Sequence, residues 1–471
     1  MNLTMKFLQF ALFSIFLLHS FSGAFSQATV KINLTFSKYY ATYAYLQDLS
    51  EYVGDNEYKR AYKASEFYND ENNGLIFQMD TLSIDYSYAF HDFPKGDKLL
   101  GMTGSILRKN LVNCKSLEEF KARSFGVIPS EELSLFTGIL EHFIPIYDAL
   151  VFEANRNDFE LKMKGLKTYV DSINISTFFE KSLSFYGTKW DPTIPFDIVI
   201  VPSTKKGGFT AQAFMNVAVS EVPLDFPHYD ILFAVLLHEI DHILYDEQSL
   251  QLKQNLNTWF DENPSGNRRY AYLLMNEVLA TALGNGYVYE VINGSVDTED
   301  WYNVKYINLM AKQVYPLVKE YLNAEKPMDK AFVDRYIAMY DAHFSEWTNE
   351  LENLFTYRYI VTDYESIDDF FRVNYPYASQ RYIEIPLSKE ALEKMMETPV
   401  TKMVIVTENH KEDLTLLRKV IPELAKWKFN AKKEFIKVID LADGTKLFVL
   451  NCHSDVEALL TRYFANGSVP Q

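Results

Sequence analysis

Apolar side chains in the middle of the chain fall into blocks that predict different elements. Residues 195–202 and 214–219 are short apolar runs separated by a glycine-containing turn at 205–208, which predicts two β-strands. Residues 231–244 are apolar on almost every side of a helix, so they predict a helix that is buried all round. Residues 267–283 show helical periodicity and precede Gly284 and Gly286, which predict the end of that helix.

The flanking regions have different patterns. A strand at 28–36 precedes mostly helical sequence up to residue 189, and residues 302–322 and 329–347 have helical periodicity. From residue 402 the order becomes β-α-β-β-α, with an Asp-Gly turn between two apolar strands. The patterns predict an α+β chain with a mainly helical region at 27–189, a central core at 190–347 and a small mixed α/β module at 348–471.

The first 26 residues have the pattern of a secretory signal peptide. Lys6 precedes an apolar stretch at 7–18 that is too short to span a bilayer, and residues 24–26 fit a cleavage site before Gln27. No cysteine lies directly after the apolar stretch, and no other segment is apolar enough for long enough to span a membrane. We therefore expect a secreted or periplasmic protein without a stable membrane anchor.

Charge and cysteine content narrow the range of partners. The formal net charge of −17 argues against nucleic acid, because binding phosphates requires a basic surface. Cys114 and Cys452 are the two cysteines; they could pair after export, but two cysteines in a chain of this length do not make a disulfide framework.

The buried central helix contains the pentapeptide His238-Glu239-Ile240-Asp241-His242. Residues four apart share one face of a helix, so the two imidazoles can bind one metal ion, as in a tetrahedral zinc site. Glu239 lies about 100° round the helix from His238, where it can reach a metal-activated water without binding the metal. Zinc lowers the pKa of its water to about 7, and a carboxylate can take the proton as the water attacks a carbonyl.

A catalytic zinc site needs a third protein ligand. The next helical segment carries one carboxylate, Glu277, among apolar residues, and the intervening residues suffice for a loop and a returning helix. Glu277 is therefore the predicted third ligand. Three other carboxylates remain as alternatives, Glu247, Asp261 and Glu262.

His238, Glu239, His242 and Glu277 together resemble the gluzincin metallopeptidases, whose third zinc ligand is a glutamate on a following helix. The resemblance covers about residues 195–290 and implies a zincin-like core with one Zn²⁺ per chain. One departure is Thr281, because many gluzincins have an aspartate four residues after the ligand glutamate. The pentapeptide also resembles the second motif of peptide deformylases, but neither cysteine of this chain lies in a matching motif.

Two further parts of a peptidase site can be sought in the sequence. A tetrahedral oxyanion needs a hydrogen-bond donor, and Tyr287, just after the predicted Glu277 helix, is the first candidate. The other candidates are Tyr270, Tyr289 and Arg269.

The second part is a strand that binds substrate. In zincin-like folds an edge strand before the active-site helix holds the substrate extended, which predicts this role for Asn216, Val217 and Ala218. An ordinary hairpin is the other interpretation of these residues.

Taken together, these features predict an exported zinc-dependent metallopeptidase that hydrolyses peptide bonds of a peptide or protein substrate with a Glu239-activated, zinc-bound water. The alternative is a non-catalytic exported binding or scaffold protein whose metal site is structural or degenerate. The intact Glu239 favours catalysis, because a structural site does not need it.

Overall fold

The computed structural model describes residues 30–86 and 102–470 of the chain. The predicted signal peptide, residues 1–26, lies outside the described residues. The described part is an α+β protein in which helices surround two small mixed sheets.

The strands, in chain order, are β1 (Ile32–Thr35), β2 (Phe196–Ser203), β3 (Thr210–Phe214), β4 (Val217–Pro223), β5 (Tyr357–Thr362), β6 (Gln380–Glu384), β7 (Thr401–Val406), β8 (Phe435–Asp440) and β9 (Lys446–Asn451). The α-helices are α1 (Lys38–Leu49), α2 (Glu57–Lys63), α3 (Asp70–Thr81), α4 (Met102–Asn113), α5 (Leu117–Ser124), α6 (Ser130–Tyr147), α7 (Arg156–Ile173), α8 (Ile175–Tyr186), α9 (Tyr229–Asp246), α10 (Leu250–Glu262), α11 (Arg268–Thr281), α12 (Tyr289–Asn293), α13 (Lys305–Asn323), α14 (Lys330–Phe344), α15 (Leu351–Thr356), α16 (Ile367–Asn374), α17 (Lys389–Met396), α18 (His410–Val420) and α19 (Val456–Phe464). Short π and 3₁₀ segments join some of them, at Asp148–Phe152, Glu153–Asn155, Ala282–Val288, Ser345–Asn349 and Pro422–Leu424.

The first sheet has the strand order β1-β2-β4-β3. β1, β2 and β4 are parallel, whereas β3 runs antiparallel to β4 and forms one edge. The register pairs Ile32 with Phe196, so the start of the described chain contributes a strand to the central sheet. The predicted boundary at residue 189 therefore does not separate this sheet from the region before it.

The two faces of this sheet are covered by different layers. Ile198 and Ile200 pack into the main core with α9, whereas Val199 and Val201 pack into a second core formed with the N-terminal helices. Successive side chains of a strand point to opposite faces, so β2 is buried at every position. The predicted helical region is thus a layer on one face of the sheet, although α7 and α8 join the main core.

One helical run is longer than the sequence pattern suggested. Ser130–Ile173 is continuous over 44 residues and is apolar enough, by length and composition, to cross a membrane. The hydropathy pattern predicted no such segment beyond the N-terminus. About 44% of its apolar window is buried inside the protein, where Phe136, Leu140 and Phe143 pack against α1 and the sheet.

The second sheet has the order β6-β5-β7-β9-β8, parallel except for the antiparallel edge strand β8. The strands predicted from residue 402 onward are present, and the sequence analysis missed β5 and β6. The β8–β9 turn contacts the start of α11: the backbone N–H of Lys446 donates to the hydroxyl of Tyr270 at 3.0 Å. The C-terminal module therefore packs directly on the helix that carries Glu277.

Candidate metal centre

The motif helix α9 presents its two histidines to one point. Its buried residues include Leu236, Leu237 and Ile240 on the sides away from the site, as predicted for a helix buried all round. The Nε2 atoms of His238 and His242 lie 3.1 Å apart, and their rings are nearly perpendicular, at 86°.

Glu277 reaches the same point from α11. Its Oε2 atom lies 3.7 Å from His238 Nε2 and 3.4 Å from His242 Nε2. Within residues 30–86 and 102–470 these three side chains form the one group of His, Cys, Asp and Glu that could hold a metal ion. The structure thus brings together the three predicted ligands.

The spacing of the three atoms fits a small tetrahedral ion. An ion about 2.1 Å from each ligand atom places neighbouring ligand atoms roughly 3.4 Å apart. The three measured separations, 3.1, 3.4 and 3.7 Å, lie on both sides of that value. Two imidazole nitrogens and one carboxylate oxygen are also a donor set that zinc binds readily.

Neighbours of the histidines orient their rings. Asn276 Oδ1 lies 2.9 Å from His242 Nδ1 and can accept its proton, so Nε2 is the ring nitrogen that faces Glu277. Thr281 Oγ1 lies 3.5 Å from His238 Nδ1. Thr281 therefore stands beside a histidine at the position where the gluzincin pattern has aspartate, with a neutral hydroxyl instead of a charge.

The electrostatics favour a charged carboxylate at this point. Burial alone would raise the pKa of Glu277, but His242 and His238 outweigh it and hold that pKa well below its ordinary value. The side chains of His238, His242 and Glu277 are only 4%, 8% and 12% exposed. A negative charge held in so dry a place is suited to binding a cation.

Asp241, inside the pentapeptide, is not part of the group of possible metal ligands. It is buried, with the Ser182 side chain beside its carboxyl group. Burial raises its pKa to about 8, although nearby Ser182 and His242 lower it. The carboxyl is therefore largely protonated at neutral pH.

Gly284 brings the end of α11 against the motif helix. A Cβ atom on Gly284 would lie 2.5 Å from Ala234 O and 2.6 Å from His238 N, so no larger residue fits without movement. The prediction that Gly284 and Gly286 end this helix was wrong: the chain continues through the π segment Ala282–Val288 into α12. Gly294, in the left-handed conformation with φ of 74°, ends it instead.

The tyrosine nearest the three ligands is Tyr302, which the sequence analysis did not single out. Its ring stacks on His238 at 5.7 Å between centroids, and its hydroxyl donates to Glu277 Oε2 at 3.3 Å. The predicted donor, Tyr287, packs against Phe178 instead, with ring centroids 6.2 Å apart. Tyr302 had been predicted as the first residue of a helix, but that helix begins at Lys305 and leaves Tyr302 in the preceding connection.

Glu239 borders the same space as Tyr302. Burial raises the pKa of Tyr302, and the charges of Glu277 and Glu239 raise it further. Glu239 itself is half-buried, unlike its neighbours His238 and Ile240, which are buried. It is thus the carboxylate beside the ligands that retains access to solvent.

The predicted substrate strand was placed one strand too far into the sheet. Val217 and Ala218 lie on β4, which is paired with β2 on one side and β3 on the other, so no peptide can pair there. Asn216 lies in the turn before β4, where its side chain donates to Pro195 O at 2.8 Å. Within the described residues the two edges of this sheet are β1 and β3, and β3 contacts the motif helix.

The remaining candidates from the sequence have other partners. Asp261 forms an ion pair with Arg269 at 2.5 Å, and Tyr270 contacts Thr401 Oγ1 at 3.2 Å. Cys114 and Cys452 are both buried and not bonded to each other.

Comparisons with known proteins give no relative for this arrangement. No protein-family model, curated protein or solved structure matches the chain. Functional inference therefore depends on the site itself.

Proposed function

We propose that the protein is an exported zinc-dependent metallopeptidase of the gluzincin type, with a zincin-like core. The observation that carries the proposal is the convergence of His238, His242 and Glu277 at spacings of 3.1 to 3.7 Å, with Glu239 beside them. A purely structural site would normally be closed by a fourth protein ligand. Among the described residues the group has three members.

Each residue then has a role in peptide hydrolysis. A bound zinc ion would act as a Lewis acid and lower the pKa of a water molecule. Glu239 would accept the proton of that water and pass it to the departing amine. Tyr302 replaces the predicted Tyr287 as the donor to the oxygen on which negative charge develops, because its hydroxyl already faces the ligands.

The substrate-binding strand in this proposal is β3. Its backbone is unpaired on the outer side within the described residues, and its residues alternate between exposed and partly covered from Thr210 to Ala213. An extended peptide can add to such an edge through main-chain hydrogen bonds. This binding mode suits a peptide or protein substrate and depends little on side-chain identity.

The test of the mechanism is Glu239→Gln in the zinc-loaded protein. The amide keeps the size of the side chain but cannot take a proton, so peptide-library cleavage should fall by about 10²–10⁴-fold while zinc content stays at about one per chain. Glu247→Gln is the matched control and should retain full activity, because Glu247 is exposed just after the same helix and lies outside the group of His238, His242 and Glu277.

Two results would contradict this mechanism. Unchanged cleavage by Glu239→Gln would exclude Glu239 as the proton acceptor. Zinc bound by the wild-type protein without cleavage of any library peptide would favour the alternative, an exported binding or scaffold protein with a structural or degenerate metal site.

A further inference from the structure

A row of hydroxyl groups connects the metal centre to the C-terminal module. Tyr302 Oη lies 3.3 Å from Glu277 Oε2 and 3.5 Å from Tyr377 Oη, and Tyr377 Oη lies 3.4 Å from Ser379 Oγ. Tyr377 and Ser379 belong to the connection between α16 and β6, far along the chain from the motif. The second sheet thus provides a polar contact to the ligand-bearing side of the site.

Counting protons gives this row a direction. Each hydroxyl has one proton to donate, and that of Tyr302 is donated to the Glu277 carboxylate, which can only accept. The Tyr302 oxygen must therefore accept from Tyr377, and the Tyr377 oxygen can in turn accept from Ser379. Every proton in the row then points towards the metal ligands.

The backbone around Tyr377 is fixed by the C-terminal module. Ser379 N donates to Thr356 O at 2.9 Å, and Tyr375 N donates to Phe371 O at 2.8 Å. The buried Arg358 also donates to Tyr375 O at 3.3 Å. Both ends of the short segment that carries Tyr377 are therefore held by hydrogen bonds to β5, α15 and α16.

Tyr302 is held less firmly by its own surroundings. It lies in the irregular connection before α13, where the neighbouring Trp301 is fixed by hydrogen bonds to Asp297 and Asn308. Its hydroxyl contacts two side chains among the described residues, Glu277 and Tyr377. Without Tyr377 the hydroxyl of Tyr302 could rotate about its C–O bond and direct its proton elsewhere.

We infer that Tyr377 is a positioning residue that directs the Tyr302 hydroxyl into the metal centre, so that the C-terminal module completes the site. The inference rests on the proposed function, in which the Tyr302 proton would turn from Glu277 Oε2, its acceptor in this structure, to the substrate oxygen. It assigns the C-terminal module a role in the chemistry beyond supporting α11.

The experiment uses the full mature chain loaded with Co²⁺ in place of zinc, and acetohydroxamate as the probe. Its oxygens bind the metal and can accept a hydrogen bond from Tyr302, and the visible absorption of cobalt reports binding without any hydrolysis. Tyr302→Phe should weaken acetohydroxamate binding about tenfold, the effect of losing one hydrogen bond to a charged group. Tyr377→Phe should weaken it about threefold or more, with cobalt still at one per chain.

A double variant separates positioning from general destabilisation. Because Tyr377 acts through Tyr302, adding Tyr377→Phe to Tyr302→Phe should cause no further loss of affinity. Tyr375→Phe is the matched control, because that hydroxyl makes no hydrogen bond with the described residues and its loss should change nothing. Ser379→Ala should give a smaller effect in the same direction as Tyr377→Phe.

The outcomes distinguish the two proposals. If Tyr377→Phe binds cobalt and acetohydroxamate with unchanged affinity, Tyr377 is not a positioning residue. Additive losses of affinity in the double variant would lead to the same conclusion, and neither result would affect the proposed function. A wild-type protein that binds no cobalt would overturn the proposed function, and this inference with it.

Discussion

Two regions of the molecule bring a pair of histidines together, with opposite results. On the motif helix, His238 and His242 have perpendicular rings and Nε2 atoms 3.1 Å apart. In the C-terminal module, the ring centroids of His410 and His453 are 3.7 Å apart, closer than the 4.8 Å between those of the first pair, but their planes are only 35° from parallel. Among the described residues His410 and His453 belong to no group of His, Cys, Asp and Glu that could hold a metal ion.

The neighbours of each pair strengthen this difference. His410 Nδ1 contacts Asn451 Oδ1 at 2.9 Å, and His453 Nε2 contacts Ala431 O at 2.8 Å, so the second pair fastens the loops after β7 and β9. The first pair has Glu277 at 3.4 and 3.7 Å. Distance between histidines is therefore a poor guide to a metal site; the direction of the lone pairs and a third ligand decide it.

The largest expected effect is the loss of the metal from the first pair. Glu277→Ala removes the single anionic ligand, so the zinc content measured by elemental mass spectrometry should fall from about one per chain to near zero. His453→Ala removes half of the second pair and should leave zinc content at about one. Equal loss in both variants would mean that the comparison is wrong.

A second test of this difference displaces the motif helix that carries His238 and His242. Gly284→Ala would force a Cβ against the backbone of the motif helix at Ala234 and His238, so we expect about 3 kcal/mol of destabilisation by urea unfolding, with weaker zinc binding. Gly138→Ala is the matched control. Nothing lies within 4 Å of a Cβ at Gly138, which is inside α6, so that change should stabilise the protein by about 0.5–1 kcal/mol.

The asparagines beside the two pairs offer a smaller and more selective test. Asn276→Ala removes the group that orients His242, and loss of such a partner typically costs about 10–100-fold in metal affinity. Asn451→Ala removes the partner of His410 and should leave zinc affinity unchanged. Chelator competition measures both, and a large zinc effect from Asn451→Ala would contradict the assignment of the second pair to structure.

The aspartates beside the two histidine pairs should contribute differently to the pH dependence of the free energy of unfolding. Asp241 has a pKa raised by burial to about 8, against 3.8 ordinarily, so between these values the folded state holds one more proton than the unfolded state. Its contribution to the free energy of unfolding therefore falls by about 1.4 kcal/mol per pH unit as pH rises through that window. Asp241→Asn should remove this slope in urea unfolding of the metal-free protein between pH 5 and 7.

Asp413, beside His410, should show the same effect over a narrower range. Burial and the charge of Asp363 raise its pKa to about 6, so Asp413→Asn should flatten the pH dependence only below that value. Because Asp413 is partly exposed, its effect should be smaller than that of Asp241. If neither substitution changes the slope of the free energy of unfolding against pH, other groups determine how stability depends on pH in the acid range.

The sequence was sufficient to predict that His238, His242 and Glu277 come together, for a local reason. The spacing of His238 and His242 fixes their common face once residues 231–244 are helical, and Glu277 is the one carboxylate within a segment that must itself be buried. The strands from residue 402 onward were predictable because apolar runs and an Asp-Gly turn mark them directly. In each case the signal lies within one element.

The parts that the sequence could not predict depend on contacts between distant segments. Tyr302 reaches the site from the irregular connection before α13, and Tyr377 reaches it from the C-terminal module; neither has a distinctive local pattern. The edge strand was misplaced because residues 214–219 form one apolar run. A left-handed turn at Met215, with φ of 55°, divides that run and makes the segment after it an interior strand.

The pairing of β1 with β2 has a consequence for the order of assembly. Asn33 on β1 hydrogen-bonds to Asp197 on β2, 164 positions later, at 2.8 Å. During synthesis β1 cannot pair with β2 until the helices between the two strands have been made. Closing so long a loop is also slow compared with forming helices. The helical layer can therefore form first, and the sheet that supports the metal centre is completed late in folding.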